Sequence, residues 1–248
     1  MEAIPIYSGR LIGIDTDQMI EVDRLMIEVY GIELLQMMEN AGRCLSIVAV
    51  NRFLQPDTST KKVAVLAGTG GNGGGAMVSA RRLSNWGVNV SCFIIESSKT
   101  KPDSAPAIQK SILEKAGVTV HGVEDLDDLQ EIDLIIDGLI GYSLDGPPTG
   151  ESRLMIEWAN SHEAPVLSLD TPSGLDLTTG EVSSPCIFAE ATVTLALPKK
   201  GLFTHEAKKV RGELFLADIS VPPRLYQEPS LNLQVPNFFE GADIIRID

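Results

Sequence analysis

Three short segments carry residue types that could do chemistry, and each follows an apolar run. The first is Gly68-Thr69-Gly70-Gly71-Asn72-Gly73-Gly74-Gly75, which follows Val63-Ala64-Val65-Leu66-Ala67. Glycines let a backbone turn tightly and approach a ligand closely. A helix start placed after such a loop offers unpaired N–H groups and a positive dipole end to an anion. Gly68, Gly70 and Gly73 also satisfy GxGxxG, a weak signal where six of eight residues are glycine. A tight strand-to-helix turn with no ligand remains the plainer alternative. No Gly-Lys-Ser/Thr follows, which excludes a P-loop.

The second segment is DLIIDGLIGYSLDGPP over 133–148. Asp137 falls where an apolar strand ends, and the carboxyl ends of parallel strands are where open α/β sheets bind ligands. Gly138 and Gly141 keep the backbone accessible there. A cap or turn role for Asp137 is the alternative. The third segment is LSLDTPSGLD over 167–176. Asp170 again lies at a strand end, and Thr-Pro-Ser-Gly is a turn that brings Ser173 toward the same site. A turn-forming Asp and Ser without a ligand is the alternative, and Asp176 reads as structural. Glu96, at the end of the next strand, could meet a ribose as in dinucleotide folds, but an exposed strand-end acid is the stronger reading. Three strand ends converging on one rim make a stronger signal than any one of them.

Those strand ends need a sheet and helices to position them. Met19, Val22, Leu25, Met26 and Val29 recur at helical spacing over 15–30, with Asp15 and Gln18 as a cap pair. A second helix carries Leu34, Met38, Ala41, Leu45 and Val48 and ends by Pro56. Met37 and Met38 read as core or subunit contact. Strands are predicted over 63–67, 88–95, 118–121, 132–137, 165–169, 191–197 and 213–219, with helices following the glycine segment and over 105–116 and 152–160. This alternation implies a parallel sheet covered on both faces. The prediction is one α/β domain over 1–248: N-terminal helices over 15–54, a core over 61–223 and a tail over 224–248 that bears no motif.

The chain has 248 residues, 44% hydrophobic and 22% charged, which excludes wholesale disorder and a coiled coil. No window reaches the ~18 uncharged apolar residues of a membrane helix. The first 13 residues carry Glu2 and Arg10 around no compact apolar stretch, unlike a signal peptide, so the expected location is cytoplasmic. A net charge of −14 disfavours nucleic acid as the main ligand. Lys199, Lys200, Lys208, Lys209 and Arg211 form the densest basic stretch; Lys199 could be a surface lysine or part of the site. Cys44, Cys92 and Cys186 are far apart and read as buried thiols of a reducing compartment. His121, His162 and His205 form no HxH or HExxH pattern, so no zinc site is expected.

These strings, in this order, resemble the NAD(P)H-hydrate epimerase family (the YjeF N-terminal domain). The matching segments are TDQMIEVDRLMIEVYGI with MENAGR, the glycine loop, DGLIGYSLDGPP, LSLDTPSGLD, LPKKGL and GELFLADISVPP, over about 16–223. The resemblance implies a Rossmann-like three-layer α/β/α sandwich with a mostly parallel sheet and an N-terminal helical extension, often dimeric. It implies interconversion of the R and S forms of hydrated NADH and NADPH (NADHX and NADPHX), so that a separate dehydratase can restore the cofactor. It also implies a potassium ion held by Asn72, Asp137 and Ser173, oxygen donors of the kind that suit a hard cation. The substrate contacts it implies are Gly71, Asn72, Gly73, Gly74 and Gly75, then Gly141, Tyr142, Ser143, Leu144, Asp145, Gly146 and Pro147, and Asp170. The family loop runs roughly GPGNNGGDG; here Thr69 replaces the proline, Gly71 the first asparagine and Gly75 the aspartate. An arginine usual near Thr149 is also missing. With no carboxylate at 75, Asp170 alone is expected to carry acid–base catalysis. The alternative is a nucleotide- or metabolite-binding or scaffold member without turnover. A generic NAD-dependent dehydrogenase is a third reading, with no evident group for hydride-transfer acid–base work.

Overall fold

The computed structural model describes residues 3–96, 101–129 and 131–248. Glu2, used above to argue against a leader, lies outside them. Among the described residues eight strands form one sheet in the order β3-β2-β1-β4-β5-β6-β7-β8. They are β1 (Lys62–Ala67), β2 (Asn89–Ile94), β3 (Thr119–His121), β4 (Leu134–Gly138), β5 (Val166–Leu169), β6 (Ala191–Leu195), β7 (Glu213–Ala217) and β8 (Ile244–Arg246). All neighbours pair in parallel except β7 and β8. Among the described residues five α-helices accompany them: α1 (Thr16–Glu28), α2 (Leu34–Ala49), α3 (Gly71–Asn85), α4 (Ala105–Lys115) and α5 (Gly150–Asn160). Among the described residues, no helix is long and apolar enough to cross a membrane.

Strand alternation divides the interior into two cores. Val63, Val65 and Ala67 of β1 face the core that α1, α2, α3 and Leu113 of α4 cover. Ala64 and Leu66 face the other, closed by Met155, Ile156 and Ala159 of α5. A strand buried on both faces reads as a continuous apolar run, as β1 and β4 do. Strand order reverses direction between β1 and β4, so the crevice at their carboxyl ends is the switch point where open α/β sheets bind ligands.

Helix α1 is fixed at its start. Asp15 accepts from the Gln18 amide at 3.0 Å while the Gln18 side chain accepts from the Asp15 amide at 3.1 Å, the predicted capping box. Ile14 forms a parallel bridge with Lys199: its amide donates to Pro198 O at 3.0 Å and its carbonyl accepts from the Lys200 amide at 2.8 Å.

Two expectations change. Helix α3 begins at Gly71 with Gly70 as its N-cap, so the glycine segment is a three-residue turn followed by the first turns of a helix. Packing against α2 overrides the poor helix propensity of glycine there. The residues over 224–248 are also no mere tail. Leu225, Tyr226, Leu231 and Phe238 are buried in the larger core, and β8 pairs antiparallel with β7 at the end of the sheet. Ile6 bridges to Arg246 beyond β8, covering part of that edge.

Candidate active site

A cavity of about 650 Å³ opens at the switch point. The β1–α3 turn lines it with Gly68, Thr69, Gly70, Gly71 and Asn72, and the segment after β4 lines it from Leu139 to Thr149. Asp170 at the end of β5 and Lys199 after β6 form its floor, while Met19, Asp23 and Ile27 of α1 and Leu34, Met37 and Met38 of α2 wall it. The predicted contacts Gly71, Asn72, Gly141, Tyr142, Ser143, Leu144, Asp145, Gly146, Pro147 and Asp170 are thus brought together.

Gly73, Gly74 and Gly75 are not among the lining residues; they are buried behind the wall. A Cβ on Gly73 would sit 1.9 Å from Gly68 O, and one on Gly74 would meet the Met38 sulfur at 2.5 Å. A Cβ on Gly75 would sit 2.8 Å from Leu169 Cδ2 and 3.6 Å from Ala41 Cβ, so position 75 is packed against β5 and α2. Gly141 is close-fitting for another reason: a Cβ there would lie 3.4 Å from Asn72 Cγ and 3.5 Å from Asp170 Oδ2.

Asp170 has φ +65°, a left-handed conformation that Asp adopts more readily than most residues and that clusters at functional sites. Its Oδ1 accepts from Lys199 Nζ at 2.6 Å and from Thr194 Oγ1 at 3.3 Å. Lys199 also donates to Leu195 O at 2.8 Å. The Lys199 side chain is fully buried and that of Asp170 is 5% exposed, so the ion pair is interior. Lys199 therefore belongs to the site and not to the surface.

Asp137 and Ser173 form a separate, fully buried cluster behind the cavity. Asp137 Oδ1 accepts from Ser173 Oγ at 2.6 Å and Leu139 N at 3.2 Å; Oδ2 accepts from Ser168 Oγ at 2.8 Å and Ser173 N at 2.9 Å. Burial pushes the Asp137 carboxyl up, and these four donors pull against it. Asn72 instead faces the cavity and donates its Nδ2 to Leu169 O at 3.0 Å. The expected ligands of an ion therefore lie on both sides of the cavity wall, Asn72 facing the cavity and Asp137 with Ser173 buried behind it. Among the described residues, no group of three or more His, Cys, Asp and Glu could hold a metal. Asn72, Asp137 and Ser173 themselves offer oxygen donors, the kind that suits a hard cation and not a transition metal.

Asp23 of α1 accepts the Tyr142 phenol at 2.5 Å, a contact the sequence reading missed. Its only sequence signal is its place on the Met19–Ile27 face, which reads as ordinary helix surface. The Glu96 carboxylate pairs with Lys110 and is exposed. Cys44, Cys92 and Cys186 are buried and free, and burial pushes each thiol up to about 12, which makes them poor nucleophiles.

A three-layer α/β/α sandwich with a cavity at its switch point and a buried ion pair on the floor defines a Rossmann-like fold, the class whose ligand sites lie at the strand ends. The chain belongs to the NAD(P)H-hydrate epimerase family: the model for the YjeF-related protein N-terminus matches residues 34–201. It is 38% identical over 229 residues to an NAD(P)H-hydrate epimerase of Dehalogenimonas lykanthroporepellens, covering 92% of this chain and 89% of that one. Similarity to an NAD(P)H-hydrate epimerase of Weissella koreensis is 32% over 87% and 95% of the two chains. A bifunctional NAD(P)H-hydrate repair enzyme of Thermofilum pendens matches at 33%, over 86% of this chain and 41% of its own length. The crystal structure of the yeast protein ynu0 shares the fold with a TM-score of 0.81 at 22% identity, covering 96% of this chain and 100% of that one.

Proposed function

We propose that this protein epimerises hydrated NADH and NADPH at the hydrated ring carbon. The observation that carries the reading is the Asp170–Lys199 pair on the floor of a cavity built at the switch point. The segment 141–147 and the turn before α3 would hold the dinucleotide, with the α3 N-terminus facing its anionic part. A net charge of −14 makes long-range attraction of an anion unfavourable, so local dipoles must supply the binding.

In this chemistry a proton reaches the leaving hydroxyl while the ring nitrogen supplies electrons, and water returns on the other face. Asp170 lies in the cavity and serves as the acid–base group, and Lys199 orients it. A positioned acid or base contributes ~10²–10⁴-fold. Asn72, Asp137 and Ser173 would hold a potassium ion, which supplies positive charge when bound. The glycine at position 75 favours the second reading, a nucleotide-binding member without turnover. Against it stands the packing of Gly75 on Leu169, which puts that position outside the cavity lining.

A separate dehydratase would complete repair. A homodimer would cover the apolar residues Ile20, Ile27 and Val29, which α1 and its C-cap leave exposed. The test of function supplies the unreactive NADPHX epimer, an epimer-specific dehydratase and potassium, and follows NADPH absorbance. Recovery faster than the spontaneous rate is expected. Folded protein that gives no acceleration would move the assignment to binding alone.

A further inference from the structure

The proposed chemistry uses one carboxyl, yet the cavity lining holds two more, the exposed Asp145 and the half-buried Asp23. Asp23 stands on α1 between Met19 and Ile27, and all three line the cavity. Its partner Tyr142 comes from the segment after β4, so their 2.5 Å contact fixes the helix wall to the proposed substrate loop. Asp23 also feels the charges of both Lys199 and Asp170, which places the two carboxyls and the lysine within one electrostatic neighbourhood.

The two carboxyls have different surroundings. Asp170 is the carboxylate of a buried ion pair. Among the described residues Asp23 makes no ion pair, and it accepts a hydrogen bond from a neutral phenol. Burial is the largest influence on Asp23 and pushes it up, the Asp170 charge adds to the rise, and the Tyr142 bond and the Lys199 charge oppose it. Burial and the adjacent Asp23 charge push the Tyr142 phenol up as well, which keeps it a donor. Asp145 lies on the same cavity lining, and Glu228 and Arg224 act on Tyr30, just beyond the far end of α1. Pairs of carboxyls whose environments differ in this way divide acid and base roles.

We propose that Asp23 is a second proton-transfer group, giving a proton to the leaving hydroxyl while Asp170 accepts one from the returning water. This rests on the epimerase reading. The C–O bond breaks and its electron pair leaves on oxygen, which takes the Asp23 proton and departs as water. The ring nitrogen lone pair forms a C=N bond and leaves the ring cationic. Water then adds to that carbon from the other face, the nitrogen recovers its pair, and the surplus proton passes to Asp170. Solvent carries the proton from Asp170 back to Asp23. Nothing is oxidised or reduced, and the roles reverse in the opposite direction.

The experiment uses the full chain and one NADPHX epimer, with the epimers resolved by chromatography between pH 5 and 9. Asp23→Asn should lower kcat by ~10²–10⁴-fold with KM changed less than about threefold. Wild-type kcat should fall at high pH as Asp23 loses its proton. Tyr142→Phe removes a bond that holds Asp23 down, so that limb should move to higher pH, whatever the change in the rate itself. Thermal unfolding checks each variant, and if Asp23→Asn does not fold, the Tyr142→Phe shift decides. An active wild type with an unchanged Asp23→Asn rate and profile, or an unmoved limb in Tyr142→Phe, overturns the role of Asp23 and leaves the epimerase reading standing. An inactive wild type overturns both.

Discussion

Replacing Lys199 with Met tests whether the site is built around a coupled interior ion pair. The lysine side chain is fully buried and Asp170 is nearly so, with 2.6 Å between Nζ and Oδ1. Removing one partner of a buried pair leaves an uncompensated charge and costs about 3–5 kcal/mol. Asp170→Asn leaves Lys199 unpaired and should cost a similar amount; Asn tolerates the positive φ of that position. The double variant Lys199→Met/Asp170→Asn carries neither buried charge, so it should be more stable than either single variant. With a urea m-value of about 3 kcal/mol/M, each single change should lower the midpoint by about 1–1.7 M. Urea denaturation at neutral pH, followed by tryptophan fluorescence, completes the double-mutant cycle. Single losses under about 1 kcal/mol, or a double loss equal to their sum, would refute the coupling.

Three further outcomes are expected. Gly75→Asp should destabilise by at least about 2 kcal/mol, since its Cβ would crowd Leu169 and its carboxylate would be buried; chemical denaturation that finds it as stable as wild type would be inconsistent with the packing described. Asp15→Ala should cost about 1 kcal/mol through loss of the α1 cap. The Lys200 hydrogen bond, with the Gln18 amide, holds the Asp15 carboxyl below its usual 3.8, so the wild-type advantage should be full above that pH and fade as pH falls through the lowered value. Potassium in place of tetramethylammonium should raise Tm by several degrees if it reaches ~100 times its Kd, and Asp137→Ala should abolish the rise; a Tm indifferent to the cation in wild-type protein would exclude the ion from the Asp137 cluster.

The sheet and its strand-end acids were legible because each rests on local sequence. Apolar runs ended at Asp137 and Asp170, and Asp15 with Gln18 announced the α1 cap. The start of α3 was not legible, because glycine favours loops locally and only the close approach of Met38 and Leu169 explains helical glycines. Lys199 read as ambiguous because its burial depends on a carboxylate 29 residues away. Asp23 was hidden for the same reason at longer range, since Tyr142, 119 residues distant, makes it part of a cavity. β8 is three residues long and gives too short a pattern to register.

Lys199 is a junction as well as a counter-ion. Its backbone bridges to Ile14 just before α1, while its ammonium holds Asp170 at the end of β5. Local openings in proteins follow cooperative units, and these contacts assign the α1 wall and the cavity floor to one unit. Amide hydrogens at the start of α1 and around Asp170 should therefore exchange with a shared opening free energy. A proteolytic cut between Ile14 and α1 would loosen wall and floor together, so the cavity would be lost in a single step.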